Sequence, residues 1–248
     1  LPQISRKGQV AVTVLNDGPP LATVESMDGP PLSREAIDAY LGGVDWLRGI
    51  LRRAEVAEHW SKASAVANYT VGGVAAHAVH SVVWLDQVLK DAEPVNLRRV
   101  EIAEFFGINR VDESEDPDPF SASLRAAAEA FAATGPYVVI STCTASRDEL
   151  VGLLSEASAE RAVPVVRVPG AQVPLRDYLR TRVLEVVVHG DDVASSVPGM
   201  SVADPPPAAM DMCLGVCMEM ARGRLGDIET LRAFTRGERS EPSGLRVL

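Results

Sequence analysis

Residues 175–197 read LRDYLRTRVLEVVVHGDDVASSV, and no other stretch restricts the fold of this chain so strongly. Arg182, Glu185, His189 and Asp192 recur at spacings of 3, 4 and 3. On a helix they share one face. Val183, Leu184, Val186, Val187, Val188 and Val193 surround that stripe. The run VLEVVV taken alone favours a strand, because β-branched residues dominate it. The polar spacing argues for a helix, and a helix apolar on nearly every other side is a buried one. Four ionisable groups buried together must be paired or serve a purpose, since unpaired buried charges are strongly disfavoured.

Two arrangements meet that demand. In one, Arg182 pairs internally with Glu185 or Asp192 while His189 is hydrogen-bonded. In the other, Glu185 and His189, one helical turn apart, are two ligands of one metal ion. An E-x-x-x-H pair does not choose between them. A third ligand has to come from another helix, and the chain has four histidines: His59, His77, His80 and His189. His77 lies within YTVGGVAAHAVHSVVW, where a histidine is read as a hydrogen-bonded core residue or as a ligand. His80, one turn on, competes for the same role. His59, beside Trp60, is expected at the surface.

The rest of the chain organises around helices. Ser33 is a good N-cap for a helix expected over 33–60, with apolar positions Ile37, Tyr40, Leu41, Val44, Leu47 and Leu51 at helical spacing. Thr70 caps a second over 70–90, and a third is expected over 119–134. PYVVISTCTAS (136–146) reads as a strand by propensity, followed by a helical LVGLLSEA. Residues 164–173 read as a short extended segment or loop. Pro205–Pro207 precede a helix through Arg222, and a short helix follows before a polar tail at 240–248. Residues 1–32 form an extension in which QVAVTVLN is a candidate strand. VDESEDPDPF is a solvated acidic loop.

Composition narrows the function. The formal net charge of −10 and the lack of a basic patch argue against a nucleic-acid partner. No apolar run reaches the roughly 20 residues of a membrane helix. Three cysteines without CxxC spacing read as reduced, buried thiols, and the chain as cytoplasmic. No G-x-S-x-G elbow or phosphate-binding glycine loop is present.

Three stretches resemble one known family: the metal-binding domain of mycothiol-dependent maleylpyruvate isomerases, within the DinB-like superfamily of thiol-dependent metalloenzymes. HWSKASAVANYTVGGVAAHAVHSVVW (59–84) is similar to the family's Trp, Ser and aromatic-Thr-Val helix start, with a His seven residues after the Thr; Thr70 and His77 fit that spacing. VPLRDYLRTRVLEVVVHGDDVASSV (173–197) resembles the second signature almost residue for residue. RGRLGDIETLRAFTRGER (222–239) is similar to the ending of short actinobacterial members. The resemblance covers about residues 33–239. It implies a mainly α, DinB-like up-down four-helix bundle with extra C-terminal helices, and makes 183–189 helical. It also implies one divalent metal held by His77, Glu185 and His189. The expected ion is zinc, with nickel or another divalent ion as alternatives, since this donor set accepts several. Two departures stand out. Gly73 replaces the acidic residue that commonly completes the cap of that helix, so a looser N-terminus is expected. No room follows Arg239 for the isomerase's second, smaller domain, so a substrate other than maleylpyruvate is expected.

The implied chemistry follows from the donor set. Three protein ligands leave a position open, as in catalytic sites. A low-molecular-weight thiol, mycothiol by the resemblance, entering there loses its proton and attacks a small electrophile, giving S-transfer or cis–trans isomerisation. Asp192 is assigned to orienting a ligand or an entering group, with an Arg182 salt bridge as the alternative. Arg182 is a candidate to orient an anionic substrate. Trp84, on the His77 face, is a candidate to line the thiol cleft or an ordinary core residue. Asp191 is expected to be exposed, and Cys213 and Cys217 to be core. Arg232, Arg236 and Arg239 either close over an anionic substrate or form a solvated face. Two other readings stay open: a hydrolase using metal-activated water, and a non-catalytic module whose site a fourth ligand, His80 or Asp192, closes. A homodimer is compatible with the composition.

Overall fold

The computed structural model describes residues 29–102, 104–105 and 119–236. The candidate strand at 9–16, most of the acidic loop (111–118) and the polar tail lie outside them. Helix α1 (Arg34–Leu51) starts at Ser33, whose hydroxyl accepts from the Ala36 N–H at 3.1 Å. The expected helix over 33–60 is two. The buried stripe of α1 ends at Leu51, Arg53 is extended, and α2 (Ala54–His59) turns Val56 back into the core. Helix α3 (Val71–Lys90) is capped by Thr70 and buried on most sides.

Helix α4 (Pro119–Ala132) leads into α5 (Pro136–Glu156). The strand expected at PYVVISTCTAS is therefore the first half of a helix. Pro136 suits the first turn, where its missing N–H has no partner to lose. Val139, Cys143, Ser146, Leu150 and Leu154 then form one buried stripe. The Thr142 and Thr144 hydroxyls return to the carbonyls of Val138 and Ile140, both at 2.9 Å. Packing on α3 overrides β-propensity here.

The extended segment near 164–173 becomes a hairpin of β2 (Ala162–Pro164) and β3 (Ala171–Pro174), turning at Gly170 with φ 81°. Strand β1 (Arg98–Arg99) joins β3 in parallel, in the order β1-β3-β2. β3 runs directly into α6 (Leu175–Ser195), which contains the VLEVVV run as helix. Helices α7 (Pro207–Leu225) and α8 (Asp227–Thr235) follow.

The fold is mainly helical, and its core is a four-helix bundle with the order α1, α6, α3, α5 around the ring. Helices consecutive among these four, α1 and α3 or α5 and α6, thus lie across the diagonals. α4 covers the outer face of α3. α7 covers α6 and α1, and α8 packs on α7. Gly190 lets the Trp46 ring of α1 lie flush on α6, because a Cβ there would overlap that ring. No helix among the described residues is long and apolar enough to cross a membrane.

Candidate metal centre

The neighbours α3 and α6 bring three side chains together. His77 comes from the middle of α3, and Glu185 and His189 from successive turns of α6. His189 Nε2 lies 3.2 Å from Glu185 Oε2, and His77 Nε2 lies 3.9 Å from the same oxygen. The two imidazoles meet edge to face at 4.9 Å. One ligating atom from each residue lies within 4.8 Å of the others. Among the described residues no further His, Cys, Asp or Glu completes such a group. All three side chains are half-buried, reachable yet shielded.

The surrounding contacts prepare these donors. Asp192 Oδ2 holds His189 Nδ1 at 2.9 Å, which turns Nε2 toward Glu185. Arg182 Nη2 lies 3.5 Å from Glu185 Oε1, and its Cζ sits 4.6 Å from the centroid of the Tyr178 ring. Burial would push the Glu185 carboxyl up, but Arg182 and then His189 and His77 hold it well below the usual carboxylate range. Burial, helped by the charge of His189, lowers His77 to about 4, so its ring is neutral and able to donate a lone pair. Burial also works against protonated His189, yet its hydrogen bonds to Asp192 and Glu185 prevail and raise it to about 9.

The other expected site residues fall as follows. Asp192 engages His189, and the Arg182 partner is Glu185, not Asp192. Arg182 is thereby committed to the carboxylate behind the cluster, with its side chain only 12% exposed. Trp84 is half-buried and packs against the core. His80 stacks on Phe131 of α4 at 4.9 Å, and neither it nor Asp192 joins the ligating group. His59 is half-buried, not at the open surface as expected, because its Nδ1 engages the Glu55 carbonyl at 2.8 Å. Asp191 is exposed. Burial of Cys143 and Cys213 pushes both thiols up to about 12, as core thiols should be. The C-terminal arginines do not close over the site: α8 packs on α7, Arg232 pairs with Glu229, and Arg236 binds the Thr235 carbonyl. Arg239 lies outside the described residues.

Glu129 of α4 was not foreseeable from the sequence. Its carboxylate accepts the Thr70 N–H at 2.8 Å and the Thr70 hydroxyl at 2.8 Å, while that hydroxyl accepts the Gly73 N–H at 2.9 Å. A capping-box carboxylate normally does this from three residues along the same helix. Here it comes from the neighbouring helix, and Gly73 leaves the space, since a Cβ there would overlap the Glu129 carboxylate. The loose N-terminus expected at Gly73 is therefore a closed one. Arg125 carries no local signature either, because its contact with Tyr69, 5.5 Å from Cζ to the ring centroid, joins segments far apart in the chain.

Comparison with known proteins bears on the same region. The family model described as "Mycothiol maleylpyruvate isomerase N-terminal domain" matches residues 43–194, which include all three clustered side chains. The crystal structure of the mycothiol-dependent maleylpyruvate isomerase matches with a TM-score of 0.51 at 17% identity, over 77% of this chain and 70% of that one. The crystal structure of a histidine-to-alanine mutant of that isomerase gives a TM-score of 0.50 at 17% identity, with the same coverage. At that identity the likeness speaks for the fold. No curated protein sequence matches the chain.

Proposed function

Because this chain belongs to the mycothiol maleylpyruvate isomerase N-terminal domain family, we propose that it is a divalent-metal-dependent enzyme acting with a low-molecular-weight thiol, mycothiol by family. Its substrate is a small electrophile, which it isomerises from cis to trans or joins to the thiol. The functional unit is the region 33–239. The observation that carries the reading is the His77, Glu185 and His189 group with no fourth donor among the described residues.

The donors suit a divalent ion. Two imidazoles and a carboxylate are a borderline-soft set that accepts zinc, and the second ring nitrogen of His189 has the carboxylate partner that metal-bound histidines usually have. An ion held there supplies Lewis acidity, which keeps an entering thiol deprotonated near neutral pH. The chain's own residues do the rest. Asp192 fixes the His189 ring, Arg182 fixes Glu185, and the Tyr178 ring holds Arg182 in place. The neutral ring of His77 needs no deprotonation to serve as a donor.

Metal content per chain, measured by elemental mass spectrometry on wild type, His77→Ala and Glu185→Ala, tests the proposal. About one divalent ion is expected in wild type and little in either variant, with circular dichroism unchanged. A metal-free wild type that takes up no zinc would refute it. Activity that persists without any thiol would leave the metal and remove the thiol.

A further inference from the structure

Helices α7 and α8 cover the bundle but leave an apolar face of their own open. In α8 Thr230 is the buried residue, while Ile228, Leu231 and Phe234, at intervals of three, are each more than half exposed. Beside them on α7, Leu214 is 60% and Met218 39% exposed. A groove of about 360 Å³ runs between the two helices, lined by Leu214, Cys217, Met218, Ala221 and Phe234. A nine-residue helix is shorter than the roughly 12–15 residues that stand alone in water, so α8 depends on what packs against it. α7 takes one side of it, and its apolar residues on the other sides stay exposed among the described residues.

At roughly 100 Å² of exposed surface each, these five apolar side chains present about 500 Å², toward the upper end of the largest patch on a typical monomer. A polar rim brings this near the roughly 800 Å² per partner of a standard interface. Shape and charge say what fits. Leu231 and the groove-lining Phe234 are three residues apart on one flank of α8, so a protruding side chain and a recess sit on the same face. A face with both is complementary to itself across a two-fold axis. Charge selects the same occupant. The chain carries −10, yet residues 207–236 hold four arginines against four acidic residues and are neutral. Two copies meeting through this helix pair bring no net charge together, whereas the rest of the chain, which holds the entire −10, repels its own copy.

We propose that the α7–α8 face is the interface of a homodimer, in which Leu231 of each protomer enters the α7–α8 groove of its partner. The pairing buries Leu214, Met218 and Ile228 around that contact and gives α8 the cover it lacks. It uses no residue of the metal centre, so it stands apart from the metal-and-thiol reading. Leu231 and Leu214 lie where a charge does most harm, because an arginine at either is carried by both protomers into a desolvated apolar contact.

The test is sedimentation velocity of the full chain over a wide concentration range, on wild type, Leu231→Arg and Leu214→Arg, with circular dichroism to check that each variant is folded. Wild type is expected to sediment at twice the chain mass at micromolar concentration. Each variant is expected to raise the dissociation constant roughly a hundredfold or more while its helix content stays unchanged. Hydrogen exchange on wild type makes the test independent of the variants: the amides of α8 should gain protection as concentration rises through the dissociation constant. A wild type that stays monomeric at every concentration overturns the proposal. So does a dimer that both folded variants leave intact, because the copies then meet through another face. Protection of α8 that is strong and independent of concentration means that a segment of the same chain covers the face, and this overturns it as well.

Discussion

Replacing Glu129 with Ala should destabilise the protein through a helix it does not belong to. The substitution removes the acceptor of two hydrogen bonds from Thr70, each 2.8 Å long, and a negative charge at the N-terminus of α3. Hydrogen bonds to a charged partner contribute about 1.5–3 kcal/mol each when buried, and a charge at a helix end about 0.3–1 kcal/mol. Glu129 and Thr70 are only half-buried, so the lower end applies, and the expected loss is about 3 kcal/mol. Gly73→Glu alone should also destabilise, because its Cβ overlaps Glu129 and sets two carboxylates together. The two changes combined should cost clearly less than their sum. With Glu129 gone, a glutamate at 73 is three residues after Thr70 and can restore the capping box within one helix. Urea unfolding of the four proteins, compared at equal m-values, measures the cycle. An additive double mutant, or a Glu129→Ala loss under about 0.5 kcal/mol, would refute the exchange of one cap for another.

Three further outcomes follow from the site. Asp192→Asn should weaken zinc binding by roughly ten- to a hundredfold in competition with a chromophoric chelator, because His189 loses the carboxylate that orients it; unchanged affinity would show that Asp192 has no such role. Arg182→Met removes the strongest counter-charge of Glu185 and leaves protonated His189 as the remaining one, so it should cost the metal-free protein about 1–3 kcal/mol, less when zinc is bound and supplies positive charge; equal losses with and without zinc would contradict this. His189 is raised in the folded chain from 6.5 to about 9, so its pairing stabilises the metal-free protein fully below pH 6.5, and that contribution is lost as pH rises through 9. Near pH 7.5 zinc must therefore displace a proton from His189, and calorimetry in buffers of different ionisation enthalpy should report about one proton released per ion bound; a heat independent of buffer would argue against it.

Much of the fold was legible because its signals are local. Thr70 and Ser33 announce helix starts through their own hydroxyls, and the stripe of α1 follows from spacing within one turn. PYVVISTCTAS was misread because the residues that favour a strand in isolation also build the buried stripe of α5, and only the presence of α3 beside it selects the helix. The break at Arg52–Arg53 carries neither proline nor glycine to mark it, and only the core that Val56 reaches, off the axis of α1, requires it.

The sequence by itself set Arg182, Glu185, His189 and Asp192 at helical spacing, which argues for a buried helix with all four on one face, and the family resemblance decided for helix at 183–189 against the strand propensity of VLEVVV. It also placed His77 on a second apolar helix. Tertiary structure decided which helices are neighbours. The ring order α1, α6, α3, α5 is what sets His77 against Glu185 and His189, and covering α3 with α4 is what delivers Glu129 to Thr70 and Arg125 to Tyr69. Periodicity reports the face a helix presents. The partner that meets that face is chosen by the packing of the whole core, where apolar stripes are interchangeable until shape and the few buried charges distinguish them.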